Sequence, residues 1–301
     1  MPFTLLEWFG HDLDNWSPIA VVDRRDERCP YVGTNCSKTF NNGARSGACS
    51  VLLGGGAKVA ICPNRLYAQD YLALSNVALV AFGAGHTIIR PSEAATVSHD
   101  GAFVIAFGHS FGRELQLPSR GGRGGYFVDW ILARISSAGD LQDFVAVEIQ
   151  TIDTTGSYRN EVDALKGGQQ QVIRSSKAGL NWENVNKRIL PQLIYKGRVL
   201  QRERLCTKGL FFVCPDAIYQ RITERLGGLD AVENLQPGSL TFHWYGLGET
   251  DASGDRPIML GGQFSTTVDH VAYKFVAPTN LPAAGVYESA IKAALRTPRQ
   301  R

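Results

Sequence analysis

The sequence predicts a mixed α/β fold, with strands and helices interleaved in the α+β manner, and three observations carry that prediction. Short apolar runs rich in β-branched and aromatic residues recur at 103–107, 144–150, 210–213 and 240–247, as strands do. Stretches with apolar residues at helical spacing lie between them, chiefly at 64–82, 181–201 and 216–226. No internal repeat is present, which removes repeat architectures built from one recurring unit.

Taken in order, residues 1–26 read as a short helical start followed by an apolar piece at 19–22. The next segment is loop-rich, with Asn41, Asn42, Gly43, Gly47 and Gly54 to Gly56, and it carries Cys29, Cys36, Cys49 and Cys62, separated by six, twelve and twelve residues. Four thiolates could fill a tetrahedral structural metal site, iron or zinc, whose binding would help fold a segment poor in core. The spacing lacks a Cys-x-x-Cys knuckle, so an unligated cysteine-rich loop is an equal alternative. Leu66, Tyr67, Asp70, Tyr71, Leu74, Val77, Ala78 and Ala81 predict one long helix over 64–82, ending before Gly83 and Gly85. Residues 181–201 predict a helix capped by Asn181 and bent at Pro191, with Val185, Ile189, Leu193 and Ile194 on its apolar side. A second helix over 216–226 is closed by Gly227 and Gly228; strands follow at 240–247 and 269–276, then a helix at 286–295 and a tail with Arg296, Arg299 and Arg301. Cys206 and Cys214 flank the 210–213 strand and read as buried, inert thiols. No strong linker interrupts the chain, and an approximate division sets an N-terminal cysteine region at 1–75 against a larger core at 76–301.

At 301 residues, 44% hydrophobic and 20% charged, the chain can bury a substantial core. No apolar run approaches the roughly 18 to 20 residues that span a bilayer, and residues 1–10 lack the basic start and apolar centre of a signal peptide, so a cytoplasmic protein without membrane partners is expected. A formal charge of +3 and a pI near 8.5 permit a polyanionic partner without demanding one. The basic residues are clustered: Arg24, Arg25 and Arg28; Arg113, Arg120 and Arg123; and a run from Lys187 and Arg188 to Lys208. Each cluster could meet a phosphate backbone or be a solvated face.

The chemistry is expected at 144–159. Val145, Val147 and Ile149 face one side of a strand, and Phe144, Ala146, Glu148 and Gln150 the other. A carboxylate and an amide at i and i+2 in an apolar strand are costly to bury unless they bind something, such as a metal ion or a charged substrate. Asp129, 19 residues before Glu148, suits a neighbouring strand, and the two acids together could hold a divalent cation. Asp140 and Asp143 are rival partners that look solvated. The glycine-rich loop with Arg120 and Arg123 precedes Asp129 and could bring backbone and arginines close to a phosphate; Tyr158 and Arg159, just past Gly156, are further candidates for phosphate contact, while Asp153 structures the turn. The chain has no Walker A sequence, no Gly-x-Ser-x-Gly elbow and no dinucleotide-binding glycine loop, and its histidines do not pair at metal or dyad spacing.

The segment from Cys29-Pro30 to Cys62-Pro63, then Asp129, the 147–156 strand and turn, and Asn181-Trp-Glu-Asn-Val-Asn-Lys187-Arg188, together resemble the NotI family of type II restriction endonucleases. That resemblance implies a nuclease core of the PD-(D/E)xK type, a structural iron at the four cysteines, and Mg²⁺-dependent cleavage of double-stranded DNA by a homodimer. It also implies a GC-rich palindromic target, with GGCC as a candidate centre. Where such nucleases usually carry Glu-x-Lys, this chain has Glu148-x-Gln150, and a neutral amide cannot be a general base. The expected roles are Mg²⁺ binding by Asp129 and Glu148, and orientation of water or ion by Gln150. The rival expectations are a DNA-binding protein on the same fold without cleavage, and a nuclease of another role such as repair.

Overall fold

Strand β1 (Phe3–Trp8) opens the chain where a helical start was expected, because Phe3, Leu5 and Glu7 are buried while Thr4 and Leu6 are only half-buried, a period of two rather than 3.6. The computed structural model describes residues 2–94, 101–112, 114–118, 125–168, 177–277, 279 and 281–296. After β2 (His11–Asp12) comes helix α1 (Pro18–Arg25), capped by Ser17, whose hydroxyl accepts the Ala20 N–H at 3.3 Å. The apolar piece at 19–22 lies on this helix with Ile19, Val21 and Val22 exposed. Strands β3 (Ala48–Leu53) and β4 (Lys58–Ala60) complete a four-stranded antiparallel sheet in the order β2-β1-β3-β4.

A 3₁₀ turn at Pro63–Tyr67 then leads into α2 (Ala68–Phe82), and Gln69, Asp70 and Tyr71 stand at φ of 57°, 53° and 59°. The expected helix over 64–82 is therefore regular only from Leu72 onward. Three successive left-handed residues are costly. Tertiary packing holds them: the Tyr67 and Tyr71 rings lie edge-on to Trp130 at 5.7 and 5.5 Å.

The second sheet is built from β5 (Ile88–Ile89), β6 (Phe103–Gly108), β9 (Trp130–Ile135), β10 (Leu141–Ile149), β13 (Leu210–Pro215), β14 (Ser239–Leu247) and β15 (Ile258–Thr267), numbered past two small ribbons. Those ribbons pair β7 (Gln116–Pro118) with β8 (Gly125–Phe127), and β11 (Thr154–Thr155) with β12 (Gly179–Leu180). The seven strands run in the order β15-β14-β13-β10-β9-β6-β5. The neighbouring strands β10, β13 and β14 are parallel, and β9 and β15 pair antiparallel on either side of them. Parallel strands covered on both faces read as continuous apolar runs, and Leu210, Phe211, Phe212 and Val213 are all fully buried.

One face of this sheet, through Val145, Val147, Phe211 and Leu132, packs on Leu74, Val77 and Ala81 of α2. The opposite face, through Ala146, Leu210, Phe212 and Phe242, packs on helices α4 (Leu190–Leu200), α5 (Asp216–Leu226) and α6 (Val268–Val276), in one cluster that also includes Phe3, Leu5 and Val51 of the first sheet. The side-chain alternation expected along 144–150 is present, with Glu148 on the same face as Ala146, toward the three helices. Helix α3 (Arg159–Lys166) lies against the first sheet's side of the core through Val162 and Leu165.

Three further expectations differ. Asn181 does not cap α4: a π-helical turn at Val185–Ile189 precedes it and Pro191 stands in its first turn. Proline has no N–H for the Lys187 carbonyl and its ring crowds that carbonyl, so the chain widens there, and Pro191 starts a helix instead of bending one. Residues 269–276, expected as a strand, form α6, because Thr267 caps the His270 N–H at 3.1 Å and Val268 and Val271 bury a helical stripe. Gly197 makes room for it: a Cβ there would lie 2.3 Å from a Val268 methyl. Asp143, expected to look solvated, is a buried member of β10, whereas Asp140 is exposed in the hairpin. The helix at the end of the described chain, α7 (Val286–Arg296), is exposed along its length.

Candidate active site

The register of β9 against β10 pairs Trp130 with Val147, which brings Asp129 to the end of Glu148's strand. Asp129 Oδ2 accepts the Ile149 N–H at 2.7 Å, so the acid is fixed by the backbone of the residue that follows Glu148. Burial is the larger cause, and the charge of Glu148 the next, that push the Asp129 carboxyl up to about 7. Asp129 also acts on Tyr67, whose hydroxyl is pushed up first by burial and then by that carboxylate. The two acids are close enough for the charge of Glu148 to be felt at Asp129, and a cation between them would relieve that repulsion.

Glu148 is 1% exposed. Its Oε1 accepts Gln150 Nε2 at 3.0 Å, and that amide also donates to Gln192 Oε1 at 3.3 Å. Both Glu148 oxygens, Oε1 and Oε2, lie 2.6 Å from the ammonium of Lys196. Lys196 was counted in the sequence only as one member of a basic run. A signal for it existed: it continues the stripe Ile189, Leu193, Lys196, Leu200, all buried, and a lysine on an apolar stripe needs a buried partner. Gln192, one turn earlier on α4, faces the same place.

The rival acids are placed elsewhere. Asp143 is held by Arg134 Nε and Nη2 at 2.8 and 3.0 Å, with Lys208 at 3.6 Å, and Asp140 caps the hairpin through its backbone. Asp153 behaves as a turn residue, accepting Asn184 Nδ2 and Arg188 Nη1, each at 2.6 Å, while its carbonyl accepts the Asn181 N–H. That ties the exposed Arg188 to the turn at Asp153, just past Gln150, with Lys187 beside it paired to Glu183. Arg159 is half-exposed and lies 3.4 Å from Asp163. Tyr158 is corrected: it is 4% exposed, its hydroxyl bonds Ser46 Oγ at 2.9 Å, and its ring packs on Phe3 and Phe40, so it is a core residue with no surface to offer DNA. Arg120 and Arg123 lie outside the described residues.

Cys29, Cys36, Cys49 and Cys62 are all free and buried, and they share one neighbourhood. Burial raises the Cys49 thiol well above its usual range, and Cys62, Cys29 and Cys36 each add to it electrostatically. Burial likewise pushes Cys62 up to about 11. Among the described residues, however, no group of three or more His, Cys, Asp or Glu side chains is close enough to hold a metal ion, so the expected iron or zinc site is not formed by these side-chain positions. Cys206 and Cys214 are fully buried in the sheet core, as inert thiols should be. His243 is also a core residue, lowered to about 4 by burial.

A family model described as restriction endonuclease NotI matches residues 17–249, a span that takes in both acids, Gln150, Lys196 and all six cysteines. The chain belongs to the NotI restriction endonuclease family. It is thus a type II site-specific deoxyribonuclease that acts on double-stranded DNA. No curated protein matches the chain. The mixed seven-stranded sheet with helices on both faces is consistent with a nuclease of this family, and among the described residues no helix is long and apolar enough to cross a membrane.

Proposed function

We propose that this NotI-family chain cleaves a GC-rich palindrome, with GGCC as the candidate centre, as a cytoplasmic homodimer that depends on Mg²⁺. The observation that carries the site is the convergence of Asp129 and Glu148 from adjacent strands, one bonded to the backbone next to the other. The donor set fits a hard divalent ion: two carboxylates that repel each other, and a carboxamide oxygen on Gln150. Glu148 can share its four lone-pair positions between Lys196 and an ion. Bound there, Mg²⁺ would lower the pKa of a coordinated water and offset charge on the phosphoryl oxygens.

The protein's own groups orient the reaction. Asp129 is held by the Ile149 N–H, Glu148 by Lys196 and Gln150, and Gln150 in turn by Gln192. Water adds across one P–O bond: its oxygen joins phosphorus, the bond to the leaving sugar oxygen breaks, and that oxygen takes a proton. Arg188, Lys187 and Arg159 are exposed cations available for the DNA backbone, and Arg120 and Arg123 complete the proposed contact set. Incubation with plasmid DNA and Mg²⁺ should give discrete fragments; a smear would indicate a nonspecific nuclease, and intact DNA a binding protein. Asp129→Ala and Glu148→Ala should each abolish cutting while DNA binding in Ca²⁺ persists.

A structural ion at Cys29, Cys36, Cys49 and Cys62, iron or zinc, is a further part of the proposal. Four buried thiols in one neighbourhood support it, although they would have to draw closer to ligate. Metal analysis should find one ion per chain, and Cys49→Ser should lower metal content and stability together. Active protein without metal would refute the site.

A further inference from the structure

We infer that Lys196 supplies, from helix α4, the catalytic cation that Gln150 does not provide from the strand, with its ammonium placed against the reacting phosphate and the attacking water. The inference rests on the cleavage reading above. Lys196 is 8% exposed, and its ammonium touches both oxygens of Glu148 at 2.6 Å. Those two bonds use two of its three N–H groups; the third can turn to another acceptor.

Stability alone does not account for the pair. A buried ammonium and carboxylate recover their lost hydration poorly, and an apolar pair of similar volume packs at least as well. Leu193 and Leu200, on either side of Lys196 along the same stripe, are buried apolar side chains, so the lysine is the one charge on that stripe between them. The lysine instead sits where the charge is needed, on the acid beside Asp129 and within the Glu148–Gln150–Gln192 chain of bonds. Sequence spacing hides this, since 48 residues separate Lys196 from Glu148. The fold removes that separation by laying α4 across the face to which Glu148 points.

Single-turnover cleavage at saturating Mg²⁺ tests the role. Lys196→Met should lower the rate at least a hundredfold while DNA affinity in Ca²⁺ stays within threefold of wild type. Adding Gln150→Lys to Lys196→Met should recover at least tenfold of the loss, because it returns an ammonium to the same carboxylate from the strand; a purely structural lysine would not be replaced in the chemical step this way. Lys196→Arg keeps the charge and the ion pair, and so the fold, but its planar fork locks onto Glu148; its rate should fall at least tenfold even if Lys196→Met does not fold. A folded Lys196→Met or Lys196→Arg cutting within threefold of wild type would overturn the inference, as would a double variant no faster than Lys196→Met. Wild-type protein that leaves DNA intact would instead overturn the cleavage reading, and this inference with it.

Discussion

Asp129→Asn should make the metal-free protein more stable at neutral pH while destroying its activity. The ordinary carboxyl value of 3.8 is raised to about 7 in the fold. A group whose folded pKa lies above its unfolded one gives relative stability that is fully present below pH 3.8 and is lost as pH rises through about 7. At about 1.4 kcal/mol per unit, ionising Asp129 costs the fold about 2 to 4 kcal/mol, the lower figure allowing for solvent at a half-buried side chain. Asparagine is nearly isosteric, keeps an oxygen for the Ile149 N–H, and removes the charge facing Glu148. Urea unfolding in EDTA at pH 5 and pH 8 should show wild type losing stability between them, and Asp129→Asn losing less. Mg²⁺ at pH 8 should stabilise wild type and not the variant. Equal stability of the two proteins at pH 8, with equal dependence on pH, would refute both the raised pKa and the burial and Glu148 charge behind it.

Gln150→Lys in the otherwise wild-type chain should keep appreciable cleavage or change the preference among Mg²⁺, Mn²⁺ and Ca²⁺ more than Gln150→Ala does; equal rates for all three proteins would remove Gln150 from the chemistry. Gly209→Ala should destabilise the protein by about 3 kcal/mol or more, since Gly209 stands at φ 76° and a Cβ there would lie 2.0 Å from the Ser239 carbonyl oxygen. Chemical denaturation measures that loss, and a variant within about 0.5 kcal/mol of wild type would show that the backbone at the head of β13 relaxes freely.

Sequence alone determined the parts of the protein in which neighbouring residues settle the outcome. The alternation at 144–150 gave β10 and assigned Glu148 to the face opposite Val147, and the unbroken run at 210–213 gave a strand covered on both faces. Helix α5, closed by Gly227 at φ 67°, and the absence of nucleotide or serine-hydrolase motifs were likewise legible, as was the family. Where long-range packing outweighed local preference, only the tertiary structure decided. The aromatic contacts to Trp130 broke a helix at Gln69–Tyr71, and the close approach at Gly197 helped turn 269–276 into a helix. Tyr158 and Asp143 were both placed in the interior, by Ser46 and by Arg134, partners 112 and 9 residues away. Lys196 is the largest such case: local periodicity marks it as a charge on an apolar stripe, but only the packing of α4 on the sheet names Glu148 as the carboxylate that makes its burial tolerable.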